Sequence, residues 1–252
     1  MATIHIRHLS HSFSTPNGHS LAVLKDVNLT VREGQFACLL GPSGCGKSTL
    51  LNMIVGLLSP SGGAIEFEGQ DPKSVNIGYI FQEPRLLNWR TVADNIDFAL
   101  RVKGVPREKR PAIVDRYLKM VGLEKFRGVY PLTLSGGMQS RVGIARAFAI
   151  HPDVLLMDEP FSNLDELTAR QLRRDLLDLW EKERLTVLFI THNALEAVYL
   201  GDVVHVMTNR PAEIFTSREI PLPRPRDYRN PEIFRIQQEI VDQLLTRVGD
   251  LE

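Results

Sequence analysis

The stretch from Phe36 to Ser48 constrains the fold more than any other part of the chain. An apolar run, Phe36 to Leu40, gives way to Gly41-Pro42-Ser43-Gly44-Cys45-Gly46-Lys47-Ser48, then Thr49. A helical pattern from Ser48 continues to Val55 and stops near Gly56. This fits G-x-x-x-x-G-K-[ST] between a strand and a helix, the context that the motif requires. Glycines let backbone N–H groups curl round phosphate oxygens without side-chain clash, and a helix N-terminus adds positive potential. Lys47 is placed to reach the β and γ phosphates, and the Ser48 hydroxyl to ligate Mg²⁺. The motif specifies a P-loop nucleotide site but not the family that carries it.

Two other apolar runs behave like Phe36–Leu40. Val154 to Met157 and Val187 to Ile190 are nearly continuous, as expected for parallel strands covered on both faces. They end in Asp158-Glu159 and Thr191-His192. In open α/β sheets the ligand crevice lies at the carboxyl ends of the strands, so three strands are expected to deliver their chemistry to one edge. Of the acidic pair, one carboxylate (Asp158) suits Mg²⁺, usually through water, and the next (Glu159) suits the attacking water as base or orienter. The alternative is a solvated acidic pair in a loop. Val27, Leu29 and Val31 alternate with polar residues and read as a half-exposed strand.

From about residue 90 to residue 150 the pattern turns helical and carries the charged segment Arg107 to Arg110, which suggests an inserted helical subdomain. Pro221 to Pro231, rich in proline and arginine, reads as an exposed linker. After it, Ile233, Ile236, Ile240, Leu244 and Val248 recur at helical spacing, with Phe234, Val241 and Leu245 widening the stripe.

The 252 residues carry 30 Lys plus Arg against 30 Asp plus Glu, so there is no bulk field to gather polyanions, and no nucleic-acid partner is expected. Cys38 and Cys45 have no metal-site spacing, and a reducing cytoplasm fits them. Cys45, beside Lys47 at a helix N-terminus, favours a thiolate open to a maleimide; the alternative is a small filler. The first ten residues lack a signal-peptide core, and no apolar run approaches the ~18 residues of a membrane helix. Any membrane role is therefore borrowed from a partner.

Leu134-Ser135-Gly136-Gly137-Met138-Gln139 decides among P-loop families. Its glycines leave backbone N–H groups open beside the start of a helix, Met138 to Ile150, which makes a second anion site. A helix start capped by Ser135 is the plainer alternative. The string resembles the signature of the ABC ATPases, and the resemblance extends over almost the whole chain. Gln82, in Phe81-Gln82-Glu83, resembles the Q-loop glutamine that touches Mg²⁺ and senses the γ-phosphate. Ser162-Asn163-Leu164-Asp165 resembles the D-loop, Thr191-His192 the switch histidine. Phe13 falls where the family stacks an aromatic on adenine, although tyrosine is more usual there and a core ring is the alternative. Three positions depart from the family pattern: Asn193 stands for an aspartate, Asn163 for a small residue and Ser140 for a glutamine. Asn193 and Glu196 have the spacing of a capping box, so asparagine can do the aspartate's structural work.

The resemblance implies an α/β P-loop NTPase with a RecA-like, mostly parallel sheet core, an antiparallel β subdomain and an inserted α-helical subdomain. It implies one domain over 1–252: a nucleotide-binding core at 1–89 and 151–215, the helical subdomain with the signature at 90–150, and a C-terminal extension at 216–252. It also implies ATP and Mg²⁺, and a head-to-tail homodimer in which each ATP lies between one copy's P-loop and the other's signature. Ser135, Gly136, Gly137 and Asp165 join the P-loop residues as nucleotide contacts, and Gln82 joins Glu159 and His192 in catalysis.

Gln82 to Val92, Leu200-Gly201-Asp202 to Asn209-Arg210-Pro211, and Leu222 to Asp227 are similar to segments of the bacterial nitrate, sulfonate and taurine importers. This implies a peripheral ATPase on the cytoplasmic face of the inner membrane. It would power uptake of a small anion through integral membrane permease subunits, served indirectly by a solute-binding protein. Coupling helices of the permease would be received near Gln82 to Asn95. Trp89, apolar among polar neighbours, suits such a contact or the core of the helical subdomain. An importer of another small solute, or a soluble ABC ATPase that remodels protein assemblies such as those of iron–sulfur cluster assembly, are the alternatives.

Overall fold

The computed structural model describes residues 2–14 and 19–249, with the side chains of residues 248 and 249 outside that description, so the place of Val248 in the helical stripe is too. In chain order the elements are β1 (Ile4–Ser14), β2 (Ser20–Val31), β3 (Phe36–Leu40), α1 (Lys47–Ile54), β4 (Gly62–Phe67), β5 (Ile77–Ile80), α2 (Val92–Val102), α3 (Arg110–Met120), α4 (Gly136–Ala149), β6 (Val154–Asp158), α5 (Glu166–Glu183), β7 (Thr186–Thr191), α6 (Ala194–Leu200), β8 (Val203–Met207), β9 (Ile214–Glu219) and α7 (Pro231–Gly249). They fall into two compact units, one of residues 75–185 and one of residues 2–74 with 186–249. The class is α/β: β3 with β7 and β8, and β5 with β6, pair in parallel, while β1, β2 and β4 form an antiparallel sheet.

In the second unit, β3 lies between β7 and β8, parallel to both, and β9 closes the order antiparallel to β8. Every residue of β3, β7 and β8 is buried, which accounts for runs of Phe, Leu, Ile and Val without polar alternation. β1 pairs antiparallel with β2 and β4 in a separate three-stranded sheet. Val27, Leu29 and Val31 are the buried alternate positions of β2, as a half-exposed strand requires. In the unit of residues 75–185, β5 and β6 pair in parallel from Ile77 with Val154 to Ile80 with Met157. Asn76 N–H donates to the Asp153 carboxylate at 2.9 Å and pins that register. α4 packs against α2, α3 and α5 and is buried over most of its length. Trp180 of α5 is fully buried, and its indole N–H donates to Leu185 O at 2.7 Å, so the one polar atom of a large ring is satisfied.

Two expectations for the C-terminal part need correction. Pro221–Pro231 is exposed at alternate residues but is not a free linker: Arg226 is 6% and Tyr228 8% exposed, and Tyr228 stacks on Tyr199 at 3.9 Å with 9° between the rings. The cause is the set of carbonyls that ends α6, which accept from these arginines. Among the described side chains of α7, only Ile233, Ile236 and Ile240 are fully buried, and the helix packs on α6. Phe234 and Leu245 are exposed and widen nothing.

His205 of β8 is 5% exposed, with Nδ1 2.7 Å from Ser217 Oγ on β9. Burial pushes its pKa from 6.5 down to about 4. The native state thus keeps His205 neutral while the unfolded chain protonates it near its ordinary value. Stability therefore falls as pH falls from 6.5 towards 4, and is unaffected by this group above that window. The expected share is ~3 kcal/mol by pH 4. Urea melts across that range should show a shallower decline for His205→Gln, by roughly that amount; identical slopes would contradict a buried neutral histidine.

Candidate nucleotide site

The P-loop joins β3 to α1, so its start is fixed by β3's neighbours. Leu40 is in register with Thr191, the last residue of β7, and Gly41 N–H donates to Thr191 O at 3.4 Å. The parallel pairing therefore puts Gly41 and the residue after Thr191, the exposed His192, at adjacent strand ends. Gly46 needs to be glycine for two reasons. Its φ is +125°, and a Cβ there would lie 2.8 Å from Val23 Cγ1 and 2.9 Å from Leu24 Cδ2. The N-cap of α1 is Gly46, which brings no capping side chain, and the positive end of the helix favours an anion. Lys47 is 4% exposed, and its ammonium bridges Gly41 O and Pro42 O, each at 2.8 Å. The charge is thus held across the mouth of the loop. Pro42, Ser43, Gly44, Ser48 and Thr49 lie in or directly after the same turn, with Ser48 exposed. Cys45 is 2% exposed, so the filler reading describes it better than an open thiolate.

His192 stands in a small network. Thr191 Oγ1 donates to the Glu196 carboxylate and accepts from Asn193 N–H at 2.9 Å. Asn193 Oδ1 accepts from Glu196 N–H at 3.1 Å. Asn193 therefore caps α6, but Glu196 turns to Thr191 instead of closing the box on the Asn193 backbone. Thr191 and Glu196 are 1% and 5% exposed, and His192 itself is exposed. On β1, Phe13 is 39% exposed and meets the His11 ring edge-on, with centroids 4.6 Å apart. That exposure removes the core-ring alternative for Phe13.

In the unit of residues 75–185, Asp158 closes β6 and accepts from Tyr79 O–H at 3.5 Å. Burial, then the Asp158 carboxylate, pushes the Tyr79 phenol up, so it stays a donor. Glu159 has φ 43°, a left-handed conformation that costs a side-chain-bearing residue ~1–3 kcal/mol. Ser162 holds that turn, donating from N–H (3.2 Å) and Oγ (3.0 Å) to Glu159 O. The Gln82 amide N–H donates to Ser162 Oγ at 3.1 Å. Gln82 and Glu159 are thus tied through Ser162. Sequence reading had Ser162 only as the first letter of the D-loop string, with no signal for this link.

Ser135 caps α4, accepting from Met138 N–H at 3.3 Å. The helix starts at Gly136, two residues before the expected Met138, so both signature glycines belong to its first turn. Asp165 caps α5 by accepting from Thr168 N–H at 3.0 Å, and that bond holds its carboxyl below the usual range. The two helix starts touch: a Cβ on Gly137 would lie 2.6 Å from Thr168 Cγ2, and one on Gly136 3.6 Å from Leu164 Cδ2. Ser140 is 7% exposed.

The loop after Gln82 is built as firmly. Arg146 of α4 donates to Pro84 O (2.7 Å) and Arg85 O (3.0 Å). Asn95, wholly buried in α2, bonds Leu87 N–H and the carbonyls of Leu87, Arg90 and Thr91 at 2.8 to 3.3 Å. Sequence reading passed over Asn95, although an asparagine among the apolar positions of a helix is a visible signal. Trp89, on that pinned loop, is 74% exposed, so it is not part of the subdomain core.

The residues assigned to Mg²⁺ supply a hydroxyl (Ser48), a carboxylate (Asp158) and an amide (Gln82) whose nitrogen is turned to Ser162. Oxygen donors of this kind suit a hard cation, so the set fits. Among the described residues no helix is long and apolar enough to cross a membrane.

Residues 24–162 match the ABC transporter family. An uncharacterized ABC transporter ATP-binding protein of Methanocaldococcus jannaschii is 45% identical over 92% of this chain and 88% of its own length. The nitrate import ATP-binding protein of Synechococcus elongatus is 41% identical over 97% and 92%, and the taurine import ATP-binding protein of Jannaschia sp. 39% over 97% and 94%. An ATP-binding cassette solved as a dimer in a post-hydrolysis state with ADP and Pi superposes at a TM-score of 0.74 with 30% identity, over 87% of this chain and all of that one. The chain belongs to the ABC transporter family. It is an ABC ATPase, an ATP-hydrolysing subunit with importer-type relatives.

The Gly137–Thr168 approach yields a two-step test. Gly137→Ala should lower ATPase kcat on the order of 10-fold by forcing the two helix starts apart. Thr168→Ser, which removes the opposing methyl, should restore most of that loss. A Gly137→Ala enzyme of wild-type rate, or no restoration, would contradict the contact.

Proposed function

We propose that this chain is the ATPase of an importer for a small anion such as nitrate, a sulfonate or taurine, working as a head-to-tail pair against integral membrane permease subunits. In this reading Lys47 and the P-loop N–H groups bind the phosphates, and Ser48, Gln82 and Asp158 hold Mg²⁺. The ion supplies neutralisation of charge on the transferring phosphate. Glu159 polarises the attacking water, His192 senses the γ-phosphate, and Phe13 stacks on adenine. Ser135, Gly136 and Gly137 complete the partner copy's site across the dimer, next to Asp165. Residues 90–150 act as the helical subdomain between the core segments 1–89 and 151–215, with 216–252 as an extension. The relatives named for nitrate and taurine import support the substrate class. With the solute read by the permease and a binding protein, the chain sits peripherally on the cytoplasmic face.

The observation that carries the coupling reading is Trp89. A large apolar ring, mostly exposed, on a loop fixed by the four bonds of a buried Asn95 is poorly suited to water and well suited to a partner. Arg90, the next residue in sequence, lies 5.4 Å over the Phe98 ring, as does Arg101. ATP-driven closing and opening of the pair would move this loop and so drive alternating access.

Trp89→Ala should leave the basal ATPase of the isolated subunit within about twofold of wild type, while abolishing transport by the assembled complex. Equal loss of both activities would contradict a coupling role. Co-purification of the wild-type chain without any integral membrane protein would favour the soluble remodeller.

A further inference from the structure

α6 is a two-turn helix, seven residues and about 10 Å long. Such a helix has little hold of its own, because most of its backbone groups lie in the terminal turns. At its start stand His192 and the Thr191–Asn193–Glu196 network. Its far end is held by side chains from the tract after β9. Arg226 Nη1 donates to Val198 O (2.7 Å), Tyr199 O (3.1 Å) and Gly201 O (2.7 Å), and its Nε and Nη2 bond Leu222 O at 3.1 and 3.0 Å. Arg224 donates to Leu200 O and to the Asp202 carboxylate. The other Asp202 oxygen accepts from Phe36 N–H at 2.9 Å, the first residue of the strand that ends in the P-loop.

Two guanidiniums beside one carboxylate, one of them 6% exposed, are an expensive addition to a helix end whose C-cap is already Gly201. Burial, with Arg224 as the next cause, depresses the Arg226 pKa to about 10, so it remains charged at neutral pH. What this arrangement supplies beyond a cap is rigidity between β3 and α6. Leu200, Val198 and Ala197 are buried, so α6 has no loose turn to absorb a shift at its carbonyl end. A displacement there would reach Glu196 and Asn193, whose bonds to Thr191 span His192.

We propose that Arg226 is a positioning residue for ATP hydrolysis: by gripping the carbonyl end of α6 it fixes the backbone from which His192 is presented. This rests on the reading of His192 as the γ-phosphate residue, and the test separates the two. Steady-state ATPase is measured on the full chain for Arg226→Gln, Arg226→Lys and His192→Ala, and for each Arg226 variant combined with His192→Ala, with thermal melts alongside. Arg226→Gln should lower kcat on the order of 10-fold with KM for ATP within about twofold. Arg226→Lys, which keeps the charge and some of the donors, should lose less. In the His192→Ala background both should lose little further rate, while their melting shifts persist. The proposal is overturned if folded Arg226→Gln keeps wild-type kcat, or loses the same factor with and without His192. Should Arg226→Gln not fold, Arg226→Lys carries the same cycle on the same criteria. A His192→Ala enzyme of wild-type kcat would instead overturn the reading of His192, and the proposal with it.

Discussion

The parallel register of β3 with β7 is the constraint on which the candidate chemistry rests. Leu40 opposite Thr191 means that two chains of backbone hydrogen bonds, not loop geometry, decide where the P-loop begins and where His192 emerges. A slip of one residue would turn every buried side chain of a strand to the other face, and β3 and β7 have no face to spare. Buried strands thus present an exposed His192 directly after β7 and, across the P-loop that follows β3, an exposed Ser48 at the start of α1. The loop between can then tolerate an unusual backbone at Gly46, because the strand before it and the helix after it are both fixed.

The unit of residues 75–185 uses a different device for the same end. There, small polar side chains hold strained or irregular backbone. Ser162 holds the left-handed turn at Glu159 and takes the Gln82 amide, while Asn95 holds the loop of Trp89. Asn95 bonds four backbone groups from one short side chain, and Ser162 joins the Glu159 carbonyl to the Gln82 amide. Gly136 and Gly137 extend the pattern in the opposite sense, since the absence of a side chain lets α4 and α5 start against each other.

How much of this was legible in the sequence follows the range of the interactions. The P-loop, the three buried strands and the signature string are local, written in consecutive apolar residues and in glycines, and the structure has the strands and the α1 start within a residue or two of their expected places. The arginine and proline tract was misread because composition reports what a segment does in water. The carbonyls that bury Arg226 belong to residues 25 to 28 positions earlier, outside any local pattern. The exposure of Phe234 and Leu245 was missed for the related reason that a helical stripe says which face is apolar, but not how wide a neighbour covers it. Ser162 and Asn95 act through bonds to backbone, which leave only a faint mark in residue type.

In the proposed mechanism, ATP hydrolysis by this ABC ATPase depends on Glu159, at the left-handed turn after β6, acting on the attacking water. Glu159→Gln keeps shape and hydrogen-bonding capacity and removes the base. Its hydrolysis rate should fall ~10²–10⁴-fold with ATP binding retained. Persisting ATP should then hold two copies together, seen by size-exclusion chromatography with light scattering as a dimer in ATP and a monomer without it. A Glu159→Gln chain that hydrolyses ATP at the wild-type rate would contradict the account.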